Sequence, residues 1–110
     1  MIKNKSITKS HEIAIKKFSS KVNSVLKNNL IDIIIYGSVA RGEAKTDSDI
    51  DVIVVVKRNA FKNQMKLAEI AFDILLETGE YISVQTMKSK ELERDTIFLH
   101  NVRNDAIHAI

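Results

Sequence analysis

Apolar residues recur at helical spacing near the start of the chain. Between residues 15 and 26 they lie three or four positions apart with lysines among them, which predicts an amphipathic helix. We place its N-cap at Ser10 and its end near Asn28–Asn29. The polar, basic residues 1–9 that precede it are predicted to be a frayed lead-in.

Three later segments have the pattern of β-strands. Residues 31–36 and 49–56 are short runs rich in β-branched side chains, and residues 81–87 alternate between two faces. Ser38–Arg41 is predicted to form one helical turn between the first two strands. Residues 107–110 are predicted to return as a short fourth strand.

A second long helix is predicted over Phe61–Thr78, with Gly79 as its C-terminal cap. Its apolar residues lie on almost every side of the helix. Burial in the core is the favoured interpretation of this breadth, and dimerisation or a helical protein partner stays open. Two shorter helices are predicted to follow, over residues 89–93 and about 95–103.

The order of these elements predicts a single domain covering residues 1–110 with an α/β (α+β) fold. Two strands are joined by a loop of about ten residues and followed by a helical crossover. That order indicates a small mixed β-sheet with helices packed mainly on one face.

Composition narrows the function without defining it. The chain has 110 residues, 45% of them apolar and 28% charged, as in ordinary globular domains. No apolar run approaches the roughly 20 residues of a membrane helix, and the start lacks the apolar segment of a signal peptide.

Cysteine is absent, which excludes disulfides and cysteine–metal sites, and we expect a cytoplasmic location. The net charge of +3 favours an anionic partner such as a nucleotide over a long nucleic-acid duplex.

Two aspartates open the second predicted strand and form the candidate site. Asp49 and Asp51 are two positions apart, so both carboxylates are expected on one side of the sheet. Two carboxylates this close need a compensating cation, and their hard oxygen ligands suit Mg²⁺. Gly37 and Ser38 lie where the first strand breaks into a turn, and their backbone N–H groups are placed to cradle a phosphate.

The stretch Gly37-Ser38-Val39-Ala40-Arg41-Gly42, followed by Ser48-Asp49-Ile50-Asp51, resembles the signature of the DNA polymerase β-like nucleotidyltransferases. It is most similar to their minimal, single-domain members. The resemblance implies a polymerase β-like nucleotidyltransferase fold. It also implies metal-dependent transfer of a nucleoside monophosphate from a nucleoside triphosphate to an acceptor hydroxyl.

The same resemblance assigns roles to particular residues. Gly37, Ser38 and Arg41 are expected to bind the nucleotide. Asp49 and Asp51 are expected to be the catalytic carboxylates and to hold Mg²⁺, with a two-metal site as one form. For Arg41 the residues leave a second role open, in which it anchors the loop to an aspartate.

The resemblance also implies a protein partner. Minimal family members are often antitoxins paired with a small helical HEPN-type protein, and some transfer AMP to that partner. A HEPN-like partner is therefore expected, and the broad apolar surface of the second long helix leaves a homodimer open as the alternative.

One feature departs from the family pattern. The family carries a third acidic residue on the later strand, where this chain has Ser83 and Gln85. Glu80 is the candidate substitute as a metal ligand, although it shares a strand face with Ile82 rather than Ser83. Without a third carboxylate, an alternative is a catalytically weak, nucleotide-binding antitoxin or regulatory subunit that acts by binding its partner.

Overall fold

The computed structural model describes residues 7–45 and 47–109. The helices are α1 (Lys9–Leu26), α2 (Gly37–Arg41), α3 (Ala60–Thr78), α4 (Ser89–Leu92) and α5 (Ile97–Asp105), and the strands are β1 (Leu30–Tyr36), β2 (Ile50–Val56), β3 (Ile82–Lys88) and β4 (Ile107–His108). A 3-10 turn, Lys27–Asn29, joins α1 to β1. The predicted elements are therefore present, with boundaries shifted by one or two residues, and Ile110 lies outside the described residues.

The described strands form one mixed sheet in the order β3-β2-β1-β4. β1 runs antiparallel to both β2 and β4, whereas β2 and β3 are parallel. A parallel pair needs a crossover from one end of the sheet to the other, and α3 supplies it. The predicted small mixed sheet is confirmed.

Alternate residues of the strands are buried on opposite faces of the sheet. Val52 and Val54 of β2 pack with the two long helices, α1 and α3, in the larger core. Ile53 and Val55 face the other way and pack with Leu99 of α5 in a smaller core. The prediction of helices mainly on one face is confirmed for α1 and α3, while α4 and α5 cover part of the second face.

The start of α1 differs from the prediction. Thr8, not Ser10, is the N-cap, and its hydroxyl oxygen accepts a hydrogen bond from the backbone N–H of His11 at 3.2 Å. Ile7 is buried in the larger core. Residues 7–9 therefore belong to the folded domain, and the rest of the predicted lead-in, residues 1–6, lies outside the described residues.

The core takes only one side of α3. Leu67, Ile70 and Ile74 are buried, whereas Phe61 and Phe72 are exposed. The favoured interpretation, burial in the core, therefore holds for one side of this helix only. Within the described residues, none of the helices combines the length and the apolar character needed to cross a membrane.

Candidate active site

The turn at Gly37 joins β1 to the short helix α2. Gly37 has a φ of +77°, which side chains with a Cβ rarely adopt. A Cβ added here would also collide with carboxylate atom Oδ2 of Asp51. Glycine is therefore required twice over, because of the backbone conformation and because the carboxylate lies directly against the turn.

The loop after α2 returns the chain to β2. Gly42 ends the helix in the left-handed conformation, with a φ of +73°. The hydroxyl oxygen of Ser48 accepts a hydrogen bond from the Lys45 backbone N–H at 2.9 Å, and the Ser48 N–H donates to the Lys45 carbonyl at 3.0 Å. Ser48 thereby closes the turn that leads into Asp49.

Asp51 lies on β2 between two neighbouring strands. Its backbone pairs with Tyr36 on β1 and with Ser83 on β3. Burial, and after it the charge of Asp49, raises the pKa of the Asp51 carboxyl above its ordinary value, while the Arg41 charge acts in the opposite direction. Asp49, one residue before β2, is exposed. The two aspartates are therefore close enough for the charge of Asp49 to act on Asp51.

Arg41 is held by two carboxylates. Its Nε donates to Oε1 of Glu43 at 2.9 Å, and its Nη1 donates to Oδ2 of Asp105 at 2.7 Å. These hydrogen bonds, first to Glu43 and then to Asp105, raise the pKa of the guanidinium. The contacts match the anchoring role that the sequence left open for Arg41.

Asp105 is a part of this site that the sequence did not reveal. It is the last residue of α5, and its Oδ2 accepts a hydrogen bond from the Gly37 backbone N–H at 3.3 Å as well as from Arg41. Nothing in its local sequence marks it, because its partners lie 64 and 68 positions earlier in the chain.

The structure does not bring Glu80 to the aspartates. Its Oε2 accepts a hydrogen bond from the Ser10 hydroxyl at 2.5 Å, and its Oε1 lies 3.4 Å from Nε2 of the buried His11. Glu80 is thus attached to the start of α1, on the larger-core side of the sheet. Ser83 is the β3 neighbour of Asp51 instead. The part of the chain that the structure describes contains no cluster of three or more His, Cys, Asp or Glu side chains arranged for a metal ion.

The donor set nevertheless fits Mg²⁺ bound together with a nucleotide. Mg²⁺ in such sites takes one or two carboxylates and completes its shell with water and substrate phosphates. Asp49 and Asp51 would supply hard oxygen ligands. Burial, and after it the charge of Asp49, raises the pKa of the Asp51 carboxyl, and a bound cation would offset the repulsion between the two carboxylates.

Comparison with known proteins identifies a family, a curated relative and a similar solved structure. The model of the family described as "Nucleotidyltransferase domain" matches residues 14–109. A curated relative from Methanocaldococcus jannaschii, named "Putative protein adenylyltransferase", is 36% identical in an alignment 69 residues long. The alignment covers 56% of this chain and 70% of that protein. A solved structure described as a toxin-antitoxin with AMP-PNP has a TM-score of 0.53 at 19% identity, over 81% of this chain and 69% of that one.

Proposed function

Because this chain belongs to the nucleotidyltransferase domain family, we propose that it transfers a nucleoside monophosphate from a nucleoside triphosphate to an acceptor hydroxyl. The phosphorus–oxygen bond to the leaving pyrophosphate breaks as the bond to the acceptor oxygen forms, and the acceptor loses its proton. The observation that carries the proposal is the contact between Asp51 and the Gly37 turn. It brings a carboxylate suited to a cation against the start of α2. The Gly37 N–H there is bound to Asp105, and the following backbone N–H groups of the helix start suit a phosphate.

Each residue of the candidate site has a separate proposed role. Gly37 and Ser38 bind the triphosphate through the turn, and Asp49 and Asp51 hold Mg²⁺. Bound Mg²⁺ supplies charge neutralisation for the attacking and leaving oxygens. Arg41 keeps the loop in place through Glu43 and Asp105, and its charge offsets part of the negative charge at Asp51.

Two of the comparisons suggest the nucleotide and the acceptor. The Methanocaldococcus jannaschii relative is named for protein adenylylation, and the similar solved structure is described as containing AMP-PNP within a toxin-antitoxin. We therefore propose ATP as the nucleotide and a hydroxyl of a protein partner as the acceptor.

A second candidate function is favoured by Ser83. It occupies the β3 position beside Asp51, where a third carboxylate would contribute a general base or metal ligand. In this alternative the chain binds the nucleotide and a partner protein, HEPN-like or other, and acts as an antitoxin or regulatory subunit with little turnover.

Label transfer from ATP separates these two functions. The full chain is incubated with Mg²⁺, the protein encoded beside it, and ATP labelled at either the α- or the γ-phosphate. Nucleotidyl transfer moves only the α-label to protein and is abolished by Asp49→Ala. The matched control is Asp47→Asn, which changes an exposed loop carboxylate and should keep activity.

Binding is measured on the same samples by calorimetry with ATP and Mg²⁺. Binding without transfer in the presence of that partner supports the second function. If the chain neither binds ATP nor transfers label, both proposals are wrong.

A further inference from the structure

Helix α3 exposes a row of large apolar side chains to solvent. Phe61 is 95% exposed, Met65 72%, Phe72 56% and Leu76 71%. They lie on the side of α3 away from the core, because the buried residues of this helix project the other way. We call these four residues the α3 stripe. Several large apolar side chains exposed along one side of a helix are typical of an interaction site.

The spacing of the α3 stripe is the same in both directions along the helix. Its members are separated by four, seven and four positions. Two such helices that pack antiparallel would therefore match end to end. Phe61 of one copy would face Leu76 of the other, and Met65 would face Phe72, which is the self-complementarity that a twofold interface requires.

Charged residues lie beside the α3 stripe and change sign along it. Lys62 and Lys66 occupy the first half of the helix, and Glu69 and Asp73 the second half. All four are exposed. Within the described residues, none of them makes an ion pair. The helix thus exposes a basic half and an acidic half, and neither half is paired with opposite charges of the described residues.

These charges favour one direction of packing. Successive helical residues are turned by about 100°, which places the four charged residues on a single flank of the stripe. In an antiparallel pair related by a twofold axis, the same flank of each helix meets its copy, whereas in a parallel pair opposite flanks meet. An antiparallel pair therefore brings Lys66 of each chain to the partner copy's acidic half, near its Asp73.

We propose that the α3 stripe is the interface of an antiparallel homodimer, with the twofold axis near Ala68–Glu69. The contact between Lys66 and the acidic half of the partner copy forms twice in the dimer, whereas the two Glu69 side chains approach each other once, near the axis. The net charge pairing therefore selects a second copy of this chain as the occupant. Asp51 points to the sheet face that carries α4 and α5, opposite α3. The dimer therefore leaves the candidate active site open, and the proposal is independent of the proposed function.

The test uses sedimentation equilibrium of the full chain up to about 500 µM, the range in which weak dimers are detected. The wild-type chain should dimerise. Met65→Lys, which places a charge in the centre of the stripe, should abolish the dimer. Lys66→Glu and Asp73→Lys should each weaken it about tenfold, because the twofold axis repeats every repulsive contact. Lys90→Glu on α4 is the matched control and should change nothing.

Combining the charge reversals tests the direction of packing. The double variant Lys66→Glu/Asp73→Lys should dimerise more tightly than either single variant, and a mixture of the two single variants should form a heterodimer. A monomeric wild-type chain over the whole range overturns the proposal, even if the stripe binds another protein. A dimer unaffected by Met65→Lys places the interface elsewhere, and a double variant no better than the singles excludes the antiparallel arrangement. Circular dichroism confirms that each surface variant is folded.

Discussion

Arg41 donates a hydrogen bond from Nη1 to Oδ2 of Asp105 over 2.7 Å, and this contact joins the end of α2 to the end of α5. The same oxygen accepts from the N–H of Gly37, the first residue of α2. One carboxylate therefore holds both ends of the five-residue helix that carries the candidate phosphate-binding turn.

Removing this carboxylate should destabilise the domain. In Asp105→Ala the part-buried N–H of Gly37 loses its acceptor, which we expect to cost about 1–2 kcal/mol. The Asp105 side chain is 14% exposed, whereas Glu43, the other partner of Arg41, is 65% exposed. Glu43→Ala is thus the matched control and should change stability little. Urea denaturation compares the two, and equal losses would show that Asp105 is not the clamp on α2.

The glycine at position 37 should be more sensitive to substitution than another glycine with the same backbone conformation. Gly37 and Gly79 have φ values of +77° and +80°. A Cβ at Gly79 has nothing within 4 Å, whereas one at Gly37 meets Asp51. Gly79→Ala should therefore cost only the backbone strain, about 1 kcal/mol. Gly37→Ala should cost more and should also weaken binding of Mg²⁺ and ATP, as measured by urea denaturation and calorimetry.

The sequence predicts features that are set by residues close together in the chain. The β-branched segments that form strands, the C-terminal cap at Gly79 and the two-residue spacing of Asp49 and Asp51 are of this kind. The orientation of α3 cannot be predicted in this way. Its apolar residues lie on almost every side, so the sequence does not reveal which side packs on the sheet. Only the packing against β3 and α1 decides that Leu67 is buried and Phe61 is exposed.

The remaining errors come from contacts between distant parts of the chain. Ser10 looked like the N-cap of α1, but its hydroxyl donates to Glu80, 70 positions away. That contact also holds Glu80 at the start of α1, away from Asp51. Asp105 was missed for the same reason, since only the return of α5 to β1 and α2 brings it to Gly37 and Arg41.

Asp51 should lower stability when it is ionised and no cation is bound. Burial and the Asp49 charge raise the pKa of its carboxyl in the folded state. Folding therefore favours the protonated carboxyl. The stability that this protonation contributes is present at low pH and is lost as pH rises through the pKa of the folded state. At pH 7 without Mg²⁺, Asp51→Asn should raise Tm by about 2–4 °C, and the gain should shrink towards zero below about pH 4.

Binding of Mg²⁺ and ATP should make the wild-type chain more stable than Asp51→Asn. Mg²⁺ with ATP should raise the Tm of the wild-type chain more than that of Asp51→Asn, because the variant has lost a ligand. Asp47→Asn is the control and should match the wild type in both conditions. Differential scanning calorimetry with and without Mg²⁺ checks both statements. A wild-type chain that is more stable than Asp51→Asn at pH 7 without Mg²⁺ would contradict the proposed repulsion.

Adding a carboxylate at Ser83 should test whether the missing third acid limits the site. Ser83 pairs with Asp51 in the parallel β2–β3 register and shares its sheet face. Neighbouring strands lie about 4.8 Å apart, so Ser83→Asp places a third carboxylate beside Asp51. Without a cation the added repulsion should lower Tm. With Mg²⁺ and ATP the affinity for the metal should rise about tenfold, and transfer of the α-label should increase.

Ser83→Asn has the same shape without the charge and should show neither change. If Ser83→Asp binds Mg²⁺ no better than Ser83→Asn, position 83 is not where a third ligand acts, and the weak-turnover alternative loses the observation that favours it.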